Sequence, residues 1–250
     1  MQLVFDFPVN PRYGFDNFVV CSGNEVAFRF ARMLVQERTH NLLYIYGPPG
    51  SGKTHLLAAL GNCLYADKSQ GETGKSPELP YLSFGNVEPL YRGDYLAEQT
   101  SRLAERFRNA PALLVDDIHL IPDNVNLRIE LWQIFNDFFD SGRKIAITGN
   151  APPRELPTLD DHLISRLLWG LVAAIDVSDD DSRRLIMKKL AEDRQIKLSA
   201  DVINYLLHQT RRDIPSLAGT LENLNRHALV TGKKISLRLV QEVLERKDEN

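Results

Sequence analysis

Leu42-Leu43-Tyr44-Ile45-Tyr46-Gly47-Pro48-Pro49-Gly50-Ser51-Gly52-Lys53-Thr54 decides the fold of this chain. The first five residues are apolar or aromatic without alternation, which predicts a strand covered on both faces. Gly47 to Thr54 fits the spacing G-x-x-x-x-G-K-[ST], and Thr54 to Tyr65 reads as a helix. Such a loop between strand and helix has a physical purpose. Glycines let the backbone turn its N–H groups inward around phosphate oxygens, at a helix N-terminus that already favours anions. On this reading Gly47, Pro49, Gly50, Ser51 and Gly52 cradle phosphate. Lys53 reaches the β- and γ-phosphates, and the Thr54 hydroxyl ligates Mg²⁺.

Working outward, further short apolar runs predict strands at Tyr81–Phe84, Ala112–Val115, Lys144–Thr148 and Val172–Asp176. Helical stretches separate them, so the expected class is α/β. The spacing Ser22-Gly23-Asn24-Glu25 is that of a capping box, predicting a helix from there to near Thr39. Leu127, Leu131, Ile134, Phe135 and Phe138 form another helical stripe, stopped at Ser141-Gly142. Residues 66 to 80 are rich in Gly, Ser, Lys and Glu and read as a mobile loop. Leu113-Leu114-Val115-Asp116-Asp117 ends a buried strand in carboxylates. Beside the phosphate loop, Asp116 would hold the Mg²⁺ shell and Asp117 would orient an attacking water. After Asp176 strand character stops and four amphipathic helices follow, with Ser199 and Ser236 as expected caps and Gly232 as a stop. The expected division is an extended peptide at 1–9, an α/β nucleotide-binding domain at 10–177 and a helical lid at 178–250.

Composition narrows the field. Thirty basic against thirty-three acidic residues give a net charge of −3, so no general field draws nucleic acid. From Ser178 onward fourteen Lys and Arg face twelve Asp and Glu, which is no basic stripe for duplex DNA. No apolar run approaches the roughly 20 residues that span a bilayer. A cytoplasmic location without membrane attachment is therefore expected. The two cysteines, Cys21 and Cys63, and the six histidines show no metal-ligand spacing.

Several segments together resemble the AAA+ ATPases of the bacterial replication initiator DnaA, and within them the shorter Hda-type regulators. Tyr13-Gly14-Phe15-Asp16-Asn17-Phe18-Val19-Val20 resembles the entry segment that lies against adenine in that family. Gly52-Lys53-Thr54-His55-Leu56-Leu57 and Leu114-Val115-Asp116-Asp117-Ile118 resemble its Walker A and Walker B. Ile147-Thr148-Gly149-Asn150-Ala151-Pro152-Pro153-Arg154-Glu155-Leu156 resembles its sensor 1 strand and turn, and Ser165-Arg166-Leu167-Leu168-Trp169-Gly170-Leu171 its arginine-finger box. The resemblance implies a P-loop AAA+ domain with a five-stranded parallel sheet and a small four-helix lid. It implies ATP or ADP with Mg²⁺ as cofactors, with Phe18, Val19 and His55 joining the phosphate loop in nucleotide binding. Asn150 becomes the sensor 1 polar group, and Arg166 the finger that one subunit offers to its neighbour's nucleotide.

One position departs from the family pattern. The arginine that the family's lid carries at the start of its third helix aligns with Pro215, which has no charge to read a γ-phosphate. Either Arg211 or Arg212 compensates from just outside the helix, or the chain binds nucleotide and hydrolyses it poorly. Weak intrinsic hydrolysis is therefore expected, with activity exerted mainly on a partner's site.

Met1-Gln2-Leu3-Val4-Phe5-Asp6-Phe7-Pro8 places Leu3, Phe5 and Phe7 on one side of an extended chain. It resembles the Gln-Leu-x-Leu-x-Leu peptides that grip the DNA sliding clamp, with Gln2 as polar anchor; an edge strand on its own domain is the bland alternative. The partners implied are DnaA, the sliding clamp and further copies of the chain, with no duplex-reading domain. A helicase loader and a nucleotide-regulated scaffold are the competing readings.

Overall fold

The computed structural model describes residues 13–66, 81–85, 105, 107–210 and 213–248. The chain divides into two compact units, the first built on residues 25–48 and 52–175 with the segment ending at Phe18, the second on 176–250 with 19–24 and 49–51.

In the first unit five strands form one parallel sheet: β1 (Leu42–Tyr46), β2 (Tyr81–Ser83), β3 (Ala112–Asp116), β4 (Lys144–Gly149) and β5 (Leu171–Ala174). Their order is β2-β3-β4-β1-β5. The register pairs Tyr46 with Gly149, Val115 with Ile147 and Leu43 with Leu171. Among the described residues four helices accompany the sheet: α1 (Glu25–Gln36), α2 (Lys53–Ala66), α3 (Val125–Asp140) and α4 (Asp161–Leu167). Leu113, Val115, Ile145 and Ile147 join the α3 stripe Leu127, Leu131, Ile134, Phe135 and Phe138 in one core cluster. Strand side chains alternate between faces, so Leu114, also fully buried, serves the opposite layer. Burial on both faces is why these strands read as unbroken apolar runs.

In the second unit α5 (Asp180–Asp193), α6 (Ala200–Gln209), α7 (Ile214–Thr231) and α8 (Leu237–Asp248) enclose their own core. Met187, Val202, Leu206, Leu217, Leu221, Leu224 and Val240 are its centre. The caps follow local chemistry. Asp179 accepts from the Ser182 N–H at 2.7 Å, which uses the acidic run 179–181 at a helix start. Ser199 accepts from the Val202 N–H at 3.4 Å, and Gly232 closes α7 in the left-handed region at φ 66°.

Element boundaries shift where side chains outcompete pattern. The helix expected from Ser22 begins at Glu25, where the Asn24 side chain ties down the segment leading into it. Its amide oxygen accepts from the Cys21 N–H at 2.9 Å and its amide nitrogen donates to the Val19 carbonyl at 2.9 Å. That helix ends at Gln36 rather than near Thr39. The last strand begins one residue early, at Leu171, and its ladder ends with the Ile175 N–H donating to the Tyr46 carbonyl at 2.7 Å. The loop expected at 66–80 falls almost wholly outside the described residues, as do Gln2, Leu3, Phe5 and Phe7, and Arg211 and Arg212. Among the described residues no helix is long and apolar enough to cross a membrane.

Candidate functional site

All five strands are parallel, so their carboxyl ends share one edge, where α/β sheets place ligands. The strand order sets β1 beside β4 and β4 beside β3. The loop after β1, the turn after β4 and the carboxylates ending β3 are therefore neighbours without any long side-chain reach.

The phosphate loop is held from inside. Lys53, only 6% exposed, donates from Nζ to the carbonyls of Gly47 and Pro48, both at 2.9 Å. Burial lowers its pKa, and the Asp117 and Asp116 charges oppose that shift. A desolvated ammonium with only carbonyl partners at its tip matches an incoming phosphate anion. Gly52 has φ +102°, and a Cβ there would sit 3.2 Å from Cε2 of Phe18. Phe18 stacks on Phe28 at 5.7 Å and meets His55 edge-on at 5.2 Å. His55 in turn stacks on Tyr13 at 4.7 Å, and its Nε2 lies 3.0 Å from the Gly14 carbonyl and 3.1 Å from Oδ1 of Asn17. The entry segment and the start of α2 thus form one aromatic cluster against the loop. Val19 belongs to the second unit, its carbonyl occupied by Asn24.

Within that second unit, Gly50 (φ +74°) faces the Pro215 ring, which occupies the space a Cβ would need. Pro215 opens α7 behind the N-cap Asp213. An apolar ring thus packs directly on a glycine of the loop. The Ser51 hydroxyl is buried without a hydrogen-bond partner.

At the end of β3, Asp116 is 2% exposed and surrounded by hydroxyls. Its Oδ2 accepts from Thr54 at 2.7 Å and from Tyr81 at 2.6 Å, while Oδ1 accepts from Thr148. Thr148 also accepts from the Asp117 N–H at 3.0 Å, so one buried hydroxyl ties both carboxylate residues to β4. Asp117 adopts the left-handed conformation (φ 53°, ψ 47°), a region that Asp tolerates better than most residues. Its carboxylate occupies the space that a side chain on Gly85 would fill. Burial raises the Asp117 pKa, with Asp116 adding to the rise and His119 and Lys53 opposing it. Burial likewise lowers the His119 pKa. Asn150 stands exposed one residue past β4. Its turn is fixed by the Tyr44 hydroxyl, which donates to the Ala151 carbonyl at 2.7 Å and fills the space above Gly149.

The donor set fits a magnesium nucleotide. Thr54 and Asp116 supply a hydroxyl and a carboxylate in mutual contact, the sparse protein shell with which Mg²⁺ joins phosphate oxygens. Among the described residues no group of three or more His, Cys, Asp or Glu could hold another metal.

Arg166 lies elsewhere. It ends α4, whose N-cap Asp160 accepts from the Leu163 N–H at 2.9 Å. Three residues later Trp169 precedes β5, whose Leu171 pairs with Leu43 near the amino end of β1. Arg166 therefore sits at the amino edge of the sheet, a strand's length (about 16 Å over five residues) from the phosphate loop. Its guanidinium lies 4.7 Å from the Trp169 ring and 5.1 Å from that of Phe139. The family resemblance pointed to Asn150 and Arg166, and spacing to the loop, Asp116 and Asp117. Spacing missed Thr148, Tyr81, Tyr44 and Gly85, which carry no signal beyond a polar or small residue near a strand end.

Comparison with known proteins agrees with this layout. The family model described as "Bacterial DnaA ATPAse domain" matches residues 9–174, and that described as "Hda, lid domain" matches residues 179–244. The chain is 31% identical over 241 residues to the chromosomal replication initiator protein DnaA of Limosilactobacillus reuteri, covering 96% of this chain and 53% of the relative. It thus spans about half the length of the curated relatives it matches. Domain III of Thermotoga maritima DnaA superposes with a TM-score of 0.79 at 29% identity, covering 96% of this chain and 98% of that one. AMPPCP-bound DnaA from Aquifex aeolicus gives a TM-score of 0.71 at 26% identity, over 86% of this chain and 66% of that one. An AAA+ phosphate-loop sheet followed by an Hda-type lid places this chain in the bacterial DnaA ATPase-domain family.

Proposed function

We propose that the chain is an adenine-nucleotide-binding regulator of replication initiation of the Hda type. It docks on ATP-loaded DnaA, supplies Arg166 to that partner's nucleotide and so promotes hydrolysis. The observation that carries this reading is the position of Arg166. It lies at the sheet edge away from its own phosphate loop, half-exposed and without an ion pair among the described residues. A guanidinium there cannot serve the nucleotide of its own chain. Offered across an interface to developing γ-phosphate charge, it is worth about 10³ to 10⁵ in rate.

Adenine nucleotide is supported by the AMPPCP that the Aquifex relative binds and by the chemistry of the loop. Lys53 and the backbone N–H groups of the loop would hold the phosphates, Phe18 and His55 would flank the base side, and Thr54 and Asp116 would hold Mg²⁺. Bound there, Mg²⁺ neutralises phosphate charge and fixes its orientation. Asp117 would orient water and Asn150 would bridge water and phosphate. The apolar ring at Pro215 itself brings no charge to a γ-phosphate, which supports a site that retains nucleotide and turns it over slowly. The amino-terminal peptide Gln2 to Phe7 would tether the chain to the sliding clamp, with Gln2 as polar anchor and Leu3, Phe5 and Phe7 in an apolar groove.

The test adds the chain to DnaA preloaded with labelled ATP, with and without clamp on DNA. Accelerated hydrolysis that depends on the clamp, and that is lost on deletion of residues 2–7, is the expected result. Hydrolysis unaffected by the chain overturns the proposal.

A further inference from the structure

The aromatic surroundings of Arg166 are built rather than incidental. A half-exposed arginine normally samples many rotamers, and ordering it costs side-chain entropy. Here two rings flank the guanidinium, at 4.7 Å for Trp169 and 5.1 Å for Phe139, both inside the roughly 6 Å range of cation–π attraction. The rings are 6.1 Å apart and tilted by 52°, so they form an open wedge and not a closed stack.

Each side of the wedge is anchored independently. On one side α4 ends in a tight turn, with the Trp169 N–H donating to the Arg166 carbonyl at 3.0 Å and the Gly170 N–H to the Leu167 carbonyl at 3.3 Å. Gly170 packs so closely on Leu42 that a Cβ would lie 2.7 Å from the Leu42 carbonyl oxygen. The turn is thereby pressed against the start of β1. On the other side Phe139 stacks on Phe135 at 6.0 Å, and its carbonyl accepts from the Asn41 side chain at 3.3 Å. Trp169 itself remains 65% exposed. An indole left in water gains little from burial, so its position is explained by what it holds. π-Faces restrain the cation without consuming its N–H donors, which carry no ion pair among the described residues.

We propose that Trp169 and Phe139 are positioning residues, forming a cation–π wedge that sets the Arg166 guanidinium for a phosphate outside this chain. This rests on the trans-acting reading of Arg166 given above. A carboxylate partner would order the same side chain but occupy its donors; the wedge orders it and leaves them for an anion. Trp169 supports Arg166 from the solvent side and Phe139 from the protein side.

The test compares the parent, Arg166→Ala, Trp169→Leu, Trp169→Phe, Phe139→Leu and the double variant Arg166→Ala/Trp169→Leu, each as the full chain. Hydrolysis of ATP on DnaA is titrated to separate maximal rate from half-saturating concentration. The Arg166 Nε–H resonance is followed by NMR on the same samples without partner. Trp169→Leu should lower the maximal rate roughly fivefold to thirtyfold, leave half-saturation within about twofold and move the Nε–H resonance out of the ring-current region. Trp169→Phe should restore most of both, and the double variant should be no slower than Arg166→Ala. A Trp169→Leu variant with parental rate, or with altered half-saturation alone, overturns the wedge while leaving the finger intact. An Arg166→Ala variant that stimulates like the parent overturns the finger reading and this inference with it. Unchanged melting temperature in Trp169→Phe guards against loss of fold as the cause.

Discussion

The two edges of the sheet are built on opposite plans. At the carboxyl edge the central polar groups are buried and bound to one another: Asp116 accepts three hydroxyls, Thr148 serves two neighbours, and Lys53 binds two loop carbonyls. At the amino edge the one cation that the family pattern singles out is half-exposed and rests on rings, with its N–H donors free of ion pairs among the described residues. A site of the first kind is suited to holding a ligand for a long time, since Asp116 and Lys53 are already oriented and desolvated. One of the second kind is suited to completing something else. The contrast supports a protein that retains nucleotide on one side and acts from the other.

The largest expected break of that contrast is Lys53→Ala. It removes a charge-assisted contact to phosphate together with the ties to Gly47 and Pro48, so nucleotide affinity should fall about 100-fold. Isothermal titration with MgADP reads this directly, and an affinity within threefold of the parent would show that the loop is held by other means.

Next in size is Thr148→Val, nearly isosteric, which leaves Oδ1 of Asp116 and the Asp117 N–H without their shared partner. Chemical denaturation should show a loss of roughly 1–3 kcal/mol. Unchanged stability would mean that β4 does not hold the carboxylates.

The smallest effect concerns pH. Burial raises the Asp117 pKa, so its ionised form opposes folding above the folded-state pKa, and this penalty fades as pH falls toward the ordinary carboxylate range. Asn tolerates the same left-handed backbone. Asp117→Asn should therefore melt higher than the parent at neutral pH, and the gap should close as pH is lowered to about 4. A constant gap across pH would remove titration as its cause.

How much of this was legible in the sequence depended on whether a feature is local. The loop Gly47–Thr54, the strand ending in Asp116-Asp117 and the cap Ser199 depend on neighbours within one element, and spacing reveals them. The wedge does not: Phe139 and Arg166 are 27 positions apart and meet because α3 and α4 both end beside Leu42 and Asn41. The hydroxyl cage of Asp116 draws on β2, β3, β4 and α2, so Tyr81 and Thr148 look like ordinary strand residues until the strand order is known. Asn24 shows the same limit at short range. Ser22-x-x-Glu25 has the spacing of a cap, yet the helix starts at Glu25, and Asn24 between them gives its donor and acceptor to Val19 and Cys21.

The most direct test of the central claim is a single-turnover measurement of ATP preloaded on DnaA, with parent and Arg166→Ala chains whose MgADP affinities are measured on the same preparations. The account predicts that Arg166→Ala loses stimulation by about 10³ while its own nucleotide affinity stays within twofold of the parent. Stimulation that survives the substitution, or a nucleotide affinity that collapses with it, would contradict the assignment of this arginine to a phosphate beyond its own chain.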